Sequence, residues 1–206
     1  MSAKLFASDV LFLQRILAVS GFYKGPLDGK LSAAVDAAEV AMEANYNAIK
    51  TAAGGFDPRS ESNIRTLTPN AQRKAREFLN AVKGKALTYR IISGTRTYAE
   101  QNALYAIGRT VQLDRKPVTN AKGGQSNHNF GIAWDVGIFE GKTYYTGKNK
   151  KERDAYSNLG ALITSSVTNI EWGGIWTTFV DPPHYQLDTG KSVAQLRALL
   201  EKGKPF

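Results

Sequence analysis

Two histidines, His128 and His184, are all that the 206-residue chain contains, and each stands in a context suited to binding a metal ion. His128 lies in Ser126-Asn127-His128-Asn129-Phe130-Gly131, a glycine-containing loop that runs into the segment Ile132-Ala133-Trp134-Asp135. His184 follows Asp181-Pro182-Pro183, where two prolines stiffen the approach and set the offset between Asp181 and His184. Two imidazoles and one carboxylate suit a tetrahedral Zn²⁺ whose fourth position is left for water, the arrangement of a catalytic rather than a structural site. A carboxylate close to such a water can act as general base. Taken singly, a loop histidine is more often a hydrogen-bonded or surface residue, so types and spacing alone leave both readings open.

The elements that must position these residues are legible in the periodicity. Gly131–Phe139 reads as a strand with Ile132, Trp134, Val136 and Ile138 on one face, which puts Ala133, Asp135 and Gly137 on the other. Tyr185–Leu187 reads as a last short strand and Leu87–Ser93 as an earlier one. Thr68-Pro69 has the form of an N-cap and first helical residue, followed by apolar Ala71, Ala75, Phe78, Leu79 and Val82. Further helices are expected from Tyr98 or Ala99 to about Ile107, over Tyr156–Ser166 and over Val193–Leu200. Lys116–Gln125 reads as a loop and Lys142–Asp154 as polar and exposed.

Before these comes a helical pattern through Val10, Leu13, Ile16 and Leu17, with Ser8 or Asp9 as the expected N-cap and Gly21 as its stop. Ser32 is expected to cap a second helix ending near Asn47. Thr51–Asn63, rich in Gly, Ser, Asp and Pro, reads as a linker or exposed loop. The expected division is a small helical segment at 1–50, a linker at 51–66 and one mixed α+β domain at 67–206.

Composition narrows the chemistry. The chain has no cysteine, which excludes disulfides, thiolate metal sites and a cysteine nucleophile. A formal charge of +9 favours an acidic polymer or surface as partner. No phosphate-cradling glycine loop, RNA-binding aromatic motif or cysteine-based zinc module supports a nucleic-acid partner. No apolar run long enough to span a bilayer and no signal-peptide pattern are seen, so a cytoplasmic chain without stable membrane insertion is expected.

Ser126, His128, Gly131, Ala133 and Asp135, joined to the later Asp181-x-x-His184, resemble the M15 family of zinc peptidases, over about Leu67 to Gln186. That family includes D-Ala-D-Ala carboxypeptidases and dipeptidases and phage L-alanyl-D-glutamate endopeptidases. The resemblance implies a small antiparallel sheet with flanking helices around a zinc site, a hedgehog and D-Ala-D-Ala-peptidase-like fold. It puts His128, Asp135 and His184 on the metal ligands and Asp181 on the catalytic acidic residue. Arg96, in Ser93-Gly94-Thr95-Arg96-Thr97, falls where the family has an arginine contacting substrate or developing oxyanion, and Ser126 where a substrate hydrogen bond is made. Glu171-Trp172-Gly173-Gly174-Ile175-Trp176 is similar to the family's segment before that Asp. Either tryptophan could floor a groove or belong to the core, and Glu171 could orient a ligand histidine.

The segments Val118–Ala121, Gly123–Ser126 and Glu171–Gly174 look most like phage lysis enzymes. The resemblance therefore implies a monomeric endolysin that cuts the L-Ala-D-Glu bond of peptidoglycan. It would wait in the host cytoplasm until the membrane is permeabilised, then act on the wall. Alternatives are a D-Ala-D-Ala carboxypeptidase or dipeptidase and, in another class, a non-catalytic basic wall-binding protein. Leu13-Gln14, Gly21-Phe22-Tyr23 and Asp28-Gly29 also resemble the front of a small helical peptidoglycan-binding module over about residues 8–42. The match departs at Ser32 and in the alanine-rich helix after it, which leaves a structural cap as the competing role, and removal of residues 1–60 is expected to leave a folded catalytic domain.

Overall fold

The computed structural model describes residues 6–206. Helix α1 spans Ala7–Val19. It starts earlier than expected because Phe6 takes the N-cap position, with its N–H donating to the Asp9 carboxylate at 3.1 Å. Asp9 thus lies inside the first turn, where the helix dipole favours an anion. Gly21 ends the helix as expected, in the left-handed region at φ +86°. Gln14 is fully buried on α1 and reaches the Asp28-Gly29 turn: its amide donates to Asp28 Oδ1 (2.9 Å) and Lys30 O (3.0 Å) and accepts from Gly29 N (2.9 Å).

Helix α2, Ala33–Ala53, follows Ser32 and runs six residues beyond the expected end at Asn47. The stretch expected to be linker contains helix α3, Pro58–Ile64, capped by Asp57, whose carboxylate accepts from Ser60 N at 3.2 Å. Ser60, Glu61 and Ile64 are buried, which a linker would not be. The physical reason for the difference is that Asp-Pro-x-Ser is equally the composition of a loop and of a helix start.

Helix α4, Pro69–Ala81, begins at Thr68 as expected. Strand β1 is Thr88–Ser93, helix α5 is Tyr98–Ala106, strand β2 is Ala133–Glu140 and β3 is Thr143–Tyr144. Helix α6 is Lys150–Ser166, β4 is Ile170–Trp172, β5 is His184–Leu187 and helix α7 is Val193–Glu201. The strands form one antiparallel sheet in the order β1-β2-β5-β4, with β3 also paired to β2. The fold is the expected α+β class.

Lys142–Asp154 is not simply exposed. Tyr145 and Glu152 are buried, and the Glu152 carboxylate closes this loop by accepting from Thr146 N (2.8 Å), Lys148 N (3.2 Å) and Asn149 Nδ2 (2.7 Å). Three such bonds on one carboxylate satisfy a group that would otherwise be costly to bury.

The chain forms two compact units, each assembled from separated segments. One comprises the described part of Met1–Asn45 with Arg96–Gly131 and Gly190–Phe206; within it α7 packs on α1, and Leu17, Tyr23, Val35 and Ala38 form a small core. The other comprises Tyr46–Thr95 and Ile132–Thr189 and contains the sheet. Trp134, Val136 and Ile138 of β2 are fully buried there, with Phe78 of α4 edge-on to Tyr185 of β5 at 4.8 Å. Each side chain of this kind stabilises the fold by about 1.5–3 kcal/mol.

An ion pair sits in the same core. Arg76, fully buried, donates to both Glu61 oxygens (2.9 and 2.8 Å) and to Gly54 O (2.9 Å), while Tyr46 Oη also donates to Glu61. Burial alone would raise the Glu61 pKa, but the bonds from Arg76, Tyr46 and Phe56 N–H outweigh it and bring it down from 4.5 to about 2. Because the folded value is the depressed one, this stabilisation is complete above the unfolded value and disappears as pH falls through the folded value. Acid titration followed by circular dichroism should show stability declining between about pH 4.5 and 2 in the parent. The same decline in Glu61→Gln would assign it to other carboxylates.

Candidate metal centre

The 3₁₀ turn Asn127–Phe130 carries His128, which is buried. Gly131 closes this turn in the left-handed region at φ +70°, its N–H directed to Asn127 O and His128 O. Asn129, fully buried, fastens the turn to its surroundings: Oδ1 accepts from Gly124 N (2.9 Å) and Nδ2 donates to Arg96 O (2.9 Å) and Thr97 O (3.3 Å). Arg96 N in turn donates to His128 O at 3.0 Å, so the Arg96 loop and the His128 turn are held as one piece.

Asp135 and His184 face each other across the β2–β5 ladder, as register partners. Opposite Asp135 on the other side, β1 pairs through Ser93 after a register shift between Ile91 and Ser93. A bulge of this kind re-aims side chains beside a site. The strand pairing is extended by Val136 N donating to Pro183 O at 2.9 Å, so the diproline fixes the ladder at the position leading into His184. The alternation expected for β2 is met, with Ile132, Trp134, Val136 and Ile138 at 1% exposure or less and Asp135 on the opposite face.

The ligand atoms of His128, Asp135 and His184 all lie within 4.8 Å of one another, a group that could hold a metal ion. His184 Nδ1 is 3.4 Å from Asp135 Oδ1. Ligand atoms about 2.0–2.2 Å from a tetrahedral ion are separated by about 3.3–3.5 Å, so this pair fits the donor spacing such an ion requires. Burial alone would lower the His184 pKa, but Asp135, then Gln186 and Asp181, outweigh it and raise it above the ordinary imidazole value. The carboxylates among these causes, Asp135 and Asp181, also supply the negative charge that a divalent cation there would need.

Asp181 is seated by its backbone: its N–H donates to Gly173 O (3.0 Å) and its carbonyl accepts from His184 N (3.1 Å). Gly173 is required at that point, since a Cβ on it would lie 2.7 Å from Asp181 O. The two tryptophans differ in their surroundings. Trp172 belongs to the core and braces the loop by donating from Nε1 to Pro182 O at 2.8 Å, whereas the Trp176 ring lies against the His184 ring at 5.0 Å between centroids. Ile175, Phe179 and Val180, in the loop before Asp181, are exposed.

Arg96 donates from Nη1 to Gln101 Oε1 at 2.9 Å, and the fully buried Gln101 donates onward to Ala121 O at 2.9 Å. Ser126 occupies the N-cap position of the His128 turn without capping it through its hydroxyl. Asn129, Gln101 and Gln186 were not visible as site residues in the sequence, because their partners are distant in the chain and no spacing announces them. Glu171 does not contact a histidine directly; it bonds Gln186 Nε2 at 2.6 Å, and Gln186 Oε1 meets His184 Nε2 at 2.9 Å.

Comparison with known proteins places the chain in a family. Residues 119–187 match the M15 peptidase family model described as D-alanyl-D-alanine carboxypeptidase, a stretch that contains His128, Asp135, Asp181 and His184. The chain is 31% identical over 124 residues to the peptidoglycan L-alanyl-D-glutamate endopeptidase CwlK of Bacillus subtilis, covering 59% of this chain and 73% of that protein. It is 29% identical over 135 residues to an L-alanyl-D-glutamate peptidase of a Listeria phage, covering 63% of this chain but only 41% of the phage protein. The crystal structure of the Serratia marcescens L-Ala D-Glu endopeptidase ChiX is similar at 27% identity, with a TM-score of 0.46, covering 64% of this chain and 88% of that one. The chain belongs to the M15 family of peptidases. Among the described residues, no helix is long and apolar enough to cross a membrane.

Proposed function

We propose that this chain is a zinc-dependent endopeptidase that hydrolyses the L-Ala-D-Glu bond in peptidoglycan stem peptides, acting in phage-type lysis of a host cell. The observation that carries the reading is the gathering of His128, Asp135 and His184, with ligand atoms all within 4.8 Å of one another. The chain's likeness to two peptidases named for the L-alanyl-D-glutamate bond supplies the bond. Zinc, when bound by these three side chains, would supply the Lewis acidity that acidifies a water and polarises a peptide carbonyl. Asp181 is the carboxylate that would carry the proton, from the attacking water to the leaving amine. Arg96, oriented by Gln101, sets a fixed positive charge where the carbonyl oxygen becomes anionic. The Ser126 hydroxyl hydrogen-bonds the substrate. The formal charge of +9 suits an anionic wall.

A second reading, D-Ala-D-Ala carboxypeptidase or dipeptidase, is favoured by the description of the matching family model. Mass spectrometry of fragments released from purified peptidoglycan separates the two. The endopeptidase should release new L-Ala C-termini and new D-Glu N-termini and leave the glycan intact. Release of free D-Ala or D-Ala-D-Ala would establish the second reading instead, and new reducing sugar ends would overturn both.

A further inference from the structure

The bonds linking Glu171, Gln186 and His184 bear on which nitrogen of His184 is available. Gln186 lies two residues beyond His184 on β5, so both side chains leave the strand on the same face. Glu171 of β4 is the register partner of Gln186. Gln186 is buried with 7% exposure, and His184 with 5%, so neither makes this contact as a surface accident.

The amide could in principle point either way. An ionised carboxylate only accepts hydrogen bonds, so the Glu171 oxygen at 2.6 Å must face the Gln186 NH₂. The Gln186 oxygen is then the atom that meets His184 Nε2 at 2.9 Å, and an oxygen there requires Nε2 to carry the proton. In the neutral imidazole this leaves the lone pair on Nδ1, the nitrogen that faces Asp135 Oδ1 at 3.4 Å. A lone pair and a carboxylate oxygen repel each other unless a proton or a metal cation joins them.

We propose that Gln186 is a positioning residue that holds His184 in the Nε2–H tautomer and presents Nδ1 to the metal, and that Glu171 fixes the orientation of the Gln186 amide. This rests on the metal-binding reading above. It gives the paired strands β4 and β5 a part in metal affinity, although β4 contributes no ligand. Partners of this kind typically change metal affinity by about 10–100-fold.

The test is Zn²⁺ affinity of the full chain, measured by competition with a chromophoric chelator, in four proteins. Gln186→Met keeps length and removes the acceptor, and should bind about 10–100-fold more weakly. Glu171→Gln, whose carboxylate is replaced by an amide able to bond Gln186 either way round, should fall between this variant and the parent. Gln186→Glu combined with Glu171→Gln reverses the pair: the new carboxylate accepts from His184 and the new amide donates to that carboxylate. Affinity should return towards the parent value in this double variant. Parent-like affinity in Gln186→Met overturns the proposal, as does a folded double variant no tighter than Gln186→Met. Should Gln186→Met fail to fold, the double variant, which preserves side-chain volume, decides alone. A parent chain that binds no Zn²⁺ would instead overturn the metal reading itself. In the metal-free protein, at a pH where the His184 ring is neutral, nitrogen NMR should report the Nε2–H tautomer in the parent and its loss in Gln186→Met, and a neutral Nδ1–H parent would sink the proposal.

Discussion

Asp181→Asn is expected to bind one Zn²⁺ per chain as the parent does and to hydrolyse stem peptide roughly two to four orders of magnitude more slowly. The substitution is nearly isosteric and leaves the backbone bonds that seat the residue, from Asp181 N to Gly173 O and from His184 N to Asp181 O, untouched. What it removes is the ability to accept a proton. His128→Ala and His184→Ala should behave differently, losing metal and activity together, because the chain has only these 2 histidines and no spare one can take over. Zinc content by mass spectrometry and turnover of a soluble stem peptide distinguish the two classes. A folded Asp181→Asn protein that arrives without zinc would show Asp181 to be a ligand and not the base.

The assignment of ligands and base came from family resemblance, but the placing of Asp135 was legible because it sits on a strongly patterned element. In β2 a period of two, with Trp134, Val136 and Ile138 all fully buried, leaves Asp135 no choice of face. Thr68-Pro69 and the apolar row behind it placed α4 at its observed start for an equally local reason. Legibility failed where local composition serves two structures at once, as in Asp57-Pro58, and where a strand is too short to show alternation, as in the three residues of β4. It failed again for Asn129, Gln101 and Gln186. Each is a polar side chain whose meaning lies in a backbone carbonyl, an arginine or a histidine that the fold, and not the spacing, brings near. The roles of Asp181, Arg96 and Ser126 came from family resemblance, since no periodicity distinguishes a catalytic carboxylate from a loop one.

The same limit applies to the division of the chain. A helical segment at 1–50 followed by a linker would let residues 1–60 be removed without harm, yet deletion of those residues is now expected to abolish cooperative folding. Tyr46 belongs to the core cluster that contains the sheet, and Phe56 packs against it. Ser60 Oγ is the acceptor for Ile91 N of β1 at 2.9 Å, so the cut leaves a buried strand N–H without its partner. Arg76 would lose Gly54 O, and Glu61 would lose Tyr46, in the middle of a buried ion pair. The remaining α3 residues would lose their cap, Asp57. In the other unit α7 would lose the helix it packs on, and Tyr98 its edge contact with Phe12. An unpaired buried polar group costs about 1–3 kcal/mol, and a whole domain is stable by only about 5–15 kcal/mol, so two or three such losses together with the lost apolar contacts exceed what the fold can bear. Thermal melting by circular dichroism and limited proteolysis of the 61–206 fragment measure this directly. A cooperative melt within a few degrees of the full chain would overturn the expectation and restore residues 1–60 as a separable module, whose contribution could then be read from binding to purified sacculi. Absence of any cooperative transition would mean that wall binding by this segment has to be tested in the intact chain, by point substitutions on its exposed side chains such as Leu31 and Val40, which leave both cores in place.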